Sequence, residues 1–356
     1  MRVLFFGTYD ERTHPRIEVL REGLQAHGVA VEVCNHPIGL STADRVELVR
    51  RPWRMIGRLW AVLQTFARLR RDALSREGPF DAVVVGYLGV FDVRLARRWF
   101  DGVVVLDHMA PVAGTFEDRG ITGGRARVAS LIDRKATDAA DIVLVDTPEH
   151  APAGGAKALV VEVGASHRWF NARRTRADGA LRAVFFGLYT PLQGVETVAA
   201  AVAATADRVD WTLIGKGQDR AVLDDALAPV DHAATVLDWV DSAELPGVVA
   251  GHDVCLGIFG TTPKASRVVP NKVFQGAATG CIVITSDTDP QRRALGDGAI
   301  LVPAGDSDAL VAALDGLVAD AANRDAQRAR SAALADERFK PEVVVAPLVE
   351  ALRRGH

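Results

Sequence analysis

The sequence predicts an α/β protein built from two Rossmann-like domains, and three observations carry that prediction. The first is length: 356 residues are enough for two domains, each with its own core. The second is a weak internal repeat. Residues 2–10 read RVLFFGTYD and residues 182–190 read RAVFFGLYT. Both are a short apolar run that ends in glycine, then a loop, then an amphipathic helix. The third is the alternation of short β-branched runs with polar or helical segments, as buried parallel strands and their crossovers read. Two such units half a chain apart are the layout of duplicated Rossmann-like domains.

The elements follow in order. Strand β1 is expected over the apolar run before Gly7. A helix opens near Thr13, a cap residue, and Pro15, a first-turn proline. Further strands are expected at Val29–Val33, Ala82–Val85, Val103–Leu106 and Ile142–Val145. The segment 161–178 reads as a linker, rich in arginine and small residues without apolar period. After it, strands are expected at Trp211–Ile214, Thr235–Leu237, Val254–Ile258, Cys281–Thr285 and Ala299–Val302. The domain reading is 1–165, then 180–340, with 341–356 as a final helix that returns to the first domain. In open α/β sheets ligands bind at the carboxyl ends of the strands, so chemistry is expected in the loops after the glycines, in a cleft between the two sheets.

Composition narrows the function classes. Hydrophobic residues make up 49% and charged residues 24%, as in a soluble globular protein. A net charge of −3 leaves no global nucleic-acid signature. Cys34, Cys255 and Cys281 lie far apart without metal or redox spacing, which fits a reducing, cytoplasmic compartment. No signal peptide and no membrane span are read. The arginine and alanine bias is that of a GC-rich bacterial genome. It leaves only six lysines, so the place of each is informative. A nicotinamide enzyme would show G-x-G-x-x-G after its first strand, but T-Y-D-E-R follows Gly7, and Gly215-Lys216-Gly217 is only a fragment of that pattern.

From Gly187 to Leu295 four pieces occur in a telling order: FFGLYTPLQGVETV, WTLIGKGQDRAVL, VLDWVDSAELPGVVAGHDVCLGIF and KASRVVPNKVFQGAATGCIVITSD. This stretch resembles the donor-binding half of retaining family 4 glycosyltransferases, in a branch with TPLQG and PNKVFQ motifs. The resemblance implies the GT-B architecture, two Rossmann-like domains facing each other across a cleft. It also implies a nucleoside-diphosphate sugar as co-substrate, transferred to an acceptor hydroxyl without a metal. The sequence departs from the family at Leu188 and Gln193, where an arginine and a lysine usually meet the donor diphosphate. It departs again at Arg267 and Gln275, where the family has two glutamates.

Such a transfer needs positive charge where the diphosphate leaves. One preorganised donor there is worth ~3 kcal/mol in the transition state, and a helix N-terminus adds potential of the right sign. Lys264, Arg267 and Lys272 fall within nine residues, Pro270 is placed to start a helix, and Asn271 and Lys272 fall in its first turn. A first-turn lysine opposes the helix dipole and so calls for an anionic partner. The three cations are read as replacing the charge missing at Leu188 and Gln193, with Arg267 and Lys272 on the leaving phosphates. A basic surface loop would have the same composition. Gln275, one turn beyond Asn271, stands where the family's glutamate bonds the ribose and keeps an acceptor oxygen. Gly7 and Gly187 let backbone approach a ligand, or simply make tight turns.

His108 ends the strand in VLDHMAP, where the family often has a histidine near the donor sugar; Asp107 could orient it or act on the acceptor. No H-E-x-x-H motif occurs and no Asp/His clustering is read, so no metal site is predicted. Residues 51–71, RPWRMIGRLWAVLQTFARLRR, hold six arginines and no acid. At helical spacing Ile56, Leu59, Trp60, Leu63 and Phe66 share a face, with Arg54, Arg58 and Arg68 largely opposite. That helix either packs on the core or lies on an anionic membrane, in which case the acceptor is lipid-linked. Otherwise the acceptor is an envelope glycan or a small natural product. The altered family positions also admit a catalytically silent sugar-nucleotide or glycan-binding partner. A GT-B-shaped epimerase is a third class, disfavoured because no paired acids or bases suit proton abstraction.

Overall fold

The computed structural model describes residues 1–11, 14–38, 56–86, 89–109, 111–114, 123–152, 157–173, 179–228 and 234–355, and no side chains within 56–59. The chain divides into two compact units, Met1–Glu162 with Val344–His356, and Val163–Val343.

The first unit holds a parallel sheet of β1 (Arg2–Gly7), β2 (Ala30–Asn35), β3 (Ala82–Val85), β4 (Val103–Asp107), β5 (Ile142–Val145) and β6 (Ala158–Val160). Its order is β2-β1-β3-β4-β5-β6. The inner strand β1 is apolar on both faces because both are covered. Val3 and Phe5 enter one core and Leu4 and Phe6 the other. The first core takes α1 (Pro15–Ala26), which buries Ile17, Leu20 and Leu24 at helical spacing. Pro15 opens this helix as expected, with His14 at the cap position making no side-chain cap bond; Thr13 lies outside the described residues. The second core takes α2 (Ile56–Ser75), α3 (Asp92–Trp99) and α4 (Gly124–Ala139). Helix α2 is anchored by Leu69 and Ala73, whereas Trp60 and Leu63 are 68% and 59% exposed. The core-packing reading therefore does not hold for those two side chains; Arg54 and the side chains of Ile56, Arg58 and Leu59 lie outside the description.

The second unit opens with α5 (His167–Asn171), inside the segment read as a linker. Buried Trp169 stacks on Phe186 with ring centroids 6.2 Å apart, and Arg173 reaches Asp336 at 2.7 Å. The linker reading missed this anchor because one aromatic has no period. The sheet comprises β7 (Leu181–Phe186), β8 (Val209–Ile214), β9 (Ala234–Leu237), β10 (Val254–Leu256), β11 (Ile282–Ser286) and β12 (Ala299–Val302). All pairs are parallel, in the order β12-β11-β10-β7-β8-β9. The order reverses at β7, so a switch point lies between β7 and β10, where such sheets bind ligands. The crossovers are α6 (Val195–Thr205), α7 (Arg220–Leu227), α8 (Leu245–Ala250), α9 (Asn271–Ala278) and α10 (Asp289–Leu295). Then come α11 (Ser307–Ala319), α12 (Ala321–Leu334) and α13 (Pro341–Val344). Asp306 and Asp320 cap α11 and α12 by accepting from the amides of Ala309 and Asn323.

The last helix, α14 (Ala346–Arg353), belongs to the first unit. Val345, Leu348 and Val349 join the core made by Val3, Phe5 and α1. Among the described residues no helix is long and apolar enough to cross a membrane.

Candidate functional site

The second unit builds its site at the β7/β10 switch point. Strand β7 ends in Phe185-Phe186-Gly187, and Gly187 has φ 137°, a conformation that side-chain-bearing residues rarely adopt. A Cβ at Gly187 would lie 3.6 Å from Lys272 Nζ, so the backbone of this turn sits directly against the ammonium. Lys272 is the second residue of α9, with Pro270 at the cap position and Gly280, φ 78°, closing the far end. Its side chain is 5% exposed. Nζ donates to Gln193 Oε1 at 2.5 Å and stands 4.0 Å from the centroid of the Phe185 ring. No acidic side chain among the described residues pairs with it. Burial lowers the Lys272 pKa from 10.5 to about 7, opposed only weakly by Cys255.

The other expected donor residues surround this centre to different degrees. Asn271 is half-buried at the first position of α9, and Gln275 is buried one turn on. Lys264 and Arg267 belong to the single helical turn before α9, half-buried and exposed respectively. The structure thus brings Gly187, Gln193 and Lys272 together, and places Lys264 and Arg267 on a neighbouring turn. Gln193, read as a missing charge, is the hydrogen-bond partner of the buried lysine. Leu188, the other altered position, is exposed at 61%. Phe185 was not singled out by sequence; the only signal was the repeated FFG.

The Gly215-Lys216-Gly217 segment holds the loop after β7 from the other side. Gly187 N donates to Ile214 O at 2.9 Å and Tyr189 N to Lys216 O at 3.0 Å. A Cβ on Gly215 would meet Gly187 O at 2.0 Å, and one on Gly217 would meet Tyr189 O at 2.1 Å. These glycines exist for close approach of two backbones, which is why a dinucleotide pattern does not complete itself around them.

In the first unit, Gly7 (φ 155°) ends β1 with Tyr9 and Asp92 packed where its Cβ would stand, at 3.0 and 3.2 Å. Asp92 accepts from Thr8 N and Oγ1 at 2.9 and 3.0 Å, fixing that turn. His108 is buried at the end of β4, its amide bonded to Leu144 O at 2.9 Å. Desolvation holds its imidazole below the usual histidine range, Asp133 opposes the shift and His150 adds to it. Asp107 does not orient His108. Its buried carboxylate accepts from Arg16 Nε at 2.9 Å, and Oδ2 has no hydrogen-bond partner among the described residues. Sequence reading missed Arg16, and also His150, whose Nδ1 lies 2.6 Å from Asp146 Oδ1 at the end of β5. The four-residue spacing after a strand was the available signal. Among the described residues no group of three or more His, Cys, Asp or Glu is placed to hold a metal ion.

Residues 180–320 match the family described as glycosyl transferases group 1. No curated protein sequence matches the chain. Among solved structures, sucrose-phosphate synthase from Thermosynechococcus elongatus superposes with a TM-score of 0.75 at 14% identity, over 99% of this chain and 98% of that one. HepE from Anabaena in complex with UDP and glucose gives 0.67 at 15% identity, over 99% of each chain. An Escherichia coli structure described as trehalose-6-phosphate bound with UDP-2-fluoro glucose gives 0.69 at 12% identity, over 99% of each. At these identities the likeness establishes the fold, which is GT-B. The match to glycosyl transferases group 1 lies within the second unit, which carries the candidate site.

Proposed function

We propose that the chain is a retaining, family 4-like enzyme that moves a sugar from a nucleoside-diphosphate sugar to an acceptor hydroxyl without a metal. The observation that carries the reading is Lys272. A lysine buried against a neutral amide and an aromatic ring, at a helix start beside a glycine turn, bears an uncompensated cost that a bound anion removes. A diphosphate is such an anion. Its developing charge in the transition state would be met by Lys272, by the amides opening α9, and by Lys264 and Arg267 on the adjoining turn. Asn271 and Gln275 supply amides for the nucleotide, Gly187 allows backbone approach, and Gly7 and His108 serve the acceptor side and the donor sugar. The acceptor class is a lipid-linked or envelope glycan or a small natural product. If it is lipid-linked, contact with an anionic membrane through residues 51–71 belongs to the same reading.

Two of the similar structures are described as holding UDP or a UDP-sugar, so UDP heads the test panel. Thermal unfolding is followed with UDP, GDP, dTDP and ADP and their common sugars, with EDTA present throughout. A nucleotide at 100 times its Kd stabilises by ~2.7 kcal/mol, and Lys272→Ala abolishes that shift. The reading fails if no nucleotide stabilises the protein, or if Lys272→Ala binds as the wild type does.

A further inference from the structure

We propose that the outer side of the helical layer α2, α3 and α4 docks on an anionic lipid bilayer. The three helices share one face of the first sheet. Leu69 and Ala73 of α2, Val93 and Ala96 of α3, and Ala136 of α4 enter the same core with Leu4 and Phe6. Their outer side carries apolar residues that the fold leaves uncovered. On α2, Trp60, Leu63 and Leu74 project at helical spacing from one stripe, each more than half exposed. Phe91 opens α3 at 55% exposure, and Val128 and Leu131 of α4 are 51% and 40% exposed. A shallow groove between α3 and α4 is lined by Phe91, Val128 and Leu131, with Arg94 and Lys135 at its edge.

Charge selects the partner. The three helices hold eleven arginines and lysines and four aspartates, in a chain whose net charge is −3. Every one of those cations whose side chain is described is exposed. The aspartates mostly turn inward. Asp92 caps the Thr8 turn, Asp133 accepts from the amides of Val112 and Ala113, and Asp72 bonds Arg76. Of the four, Asp138 alone is exposed. A second copy of this chain is a poor occupant, because a two-fold contact would set one dense cationic surface against another. A nucleic acid would meet the arginines but leave the tryptophan and leucines in water. Anionic headgroups with acyl chains beneath them satisfy both sets at once. The surface extends the basic segment visible in sequence across two further helices, and it stands apart from the donor-site reading.

The test is sedimentation of the full chain, without nucleotide, with phosphatidylcholine vesicles that contain or lack phosphatidylglycerol. Binding is expected only with phosphatidylglycerol, and it weakens as salt rises. With each surface arginine or lysine contributing about fivefold, the triple substitution Arg94→Ala, Arg98→Ala, Lys135→Ala weakens binding roughly a hundredfold. Replacing Trp60 and Leu63 by Ala weakens it as well. All these side chains are exposed, so the melting temperature stays near the wild-type value. If the first triple misfolds, Arg68→Ala, Arg70→Ala, Arg71→Ala on α2 asks the same question. The proposal is overturned if the protein ignores phosphatidylglycerol vesicles at low salt, or if folded triple variants bind them undiminished. It is also overturned if light scattering without lipid shows a dimer that the Trp60 and Leu63 changes dissolve.

Discussion

At the scale of single residues the protein is shaped by two buried cations treated in opposite ways. Arg16 is paired: Asp107 accepts from Nε, and the carbonyls of Val161 and Glu162 accept from the other guanidinium nitrogens at 2.8 Å. Lys272 has a neutral acceptor and a ring but, among the described residues, no counter-charge. This difference has a pH signature. The Lys272 pKa is about 7 in the folded chain and 10.5 in the unfolded one, so between these values the unfolded state binds the extra proton. Stability from this group therefore rises with pH across that window, and the full cost of the buried charge is present below pH 7. Lys272→Met removes that pH dependence. Urea unfolding from pH 6 to pH 10 is expected to show the variant's stability, relative to wild type, falling as pH rises above 7. A difference that stays flat with pH would mean that the lysine is not buried as a cation.

At the scale of elements, the donor half is held by backbone meeting backbone. The loop after β7 and the loop after β8 approach so closely that neither Gly215 nor Gly217 has room for a methyl group. Gly215→Ala is expected to cost about 1–3 kcal/mol, and more if the loop after β7 must move. Because that loop carries Gly187 onto Lys272, the same change should weaken nucleotide binding, as read by calorimetry beside a melting curve. An unchanged melt would show that the two loops are not locked. Much of this half was legible in sequence. Strand Val254–Leu256 is a continuous apolar run because it is buried on both faces, and Pro270 announces α9. The partner of Lys272 was not legible. Gln193 is 79 residues away and reads as a lost charge until the fold sets it beside the lysine. The exposure of Trp60 and Leu63 was equally hidden, since an apolar helical stripe reads alike whether it meets a core or solvent.

At the scale of the whole molecule, each unit has its own sheet and cores, and the chain comes back to its first unit to finish. Val344, Val345, Leu348, Val349 and Leu352 are all buried in the core around α1 and β1. At ~1.5–3 kcal/mol per buried side chain, their removal costs on the order of 10 kcal/mol. That equals the whole stability of a typical domain, about 5–15 kcal/mol. A chain ending at Val343 is therefore expected to lose the fold of its first unit. Hydrogen exchange should show β1 and α1 unprotected while β7 and β10 of the second unit stay protected. Protected β1 amides in the truncated chain would show that α14 is dispensable.

The sequence by itself determined the two-sheet α/β plan, the strands other than β6, and the basic helix start at Pro270-Asn271-Lys272. These follow from local periods, turn residues and motif order, which a chain displays without folding. Only the tertiary structure decided what each charge meets: Asp107 with Arg16, His150 with Asp146, and Lys272 with Gln193 rather than an acid. It also decided which α14 side chains enter the first core and that Trp60 and Leu63 of α2 face outward. Burial and long-range pairing depend on which distant segments the fold brings together, and no local period encodes that.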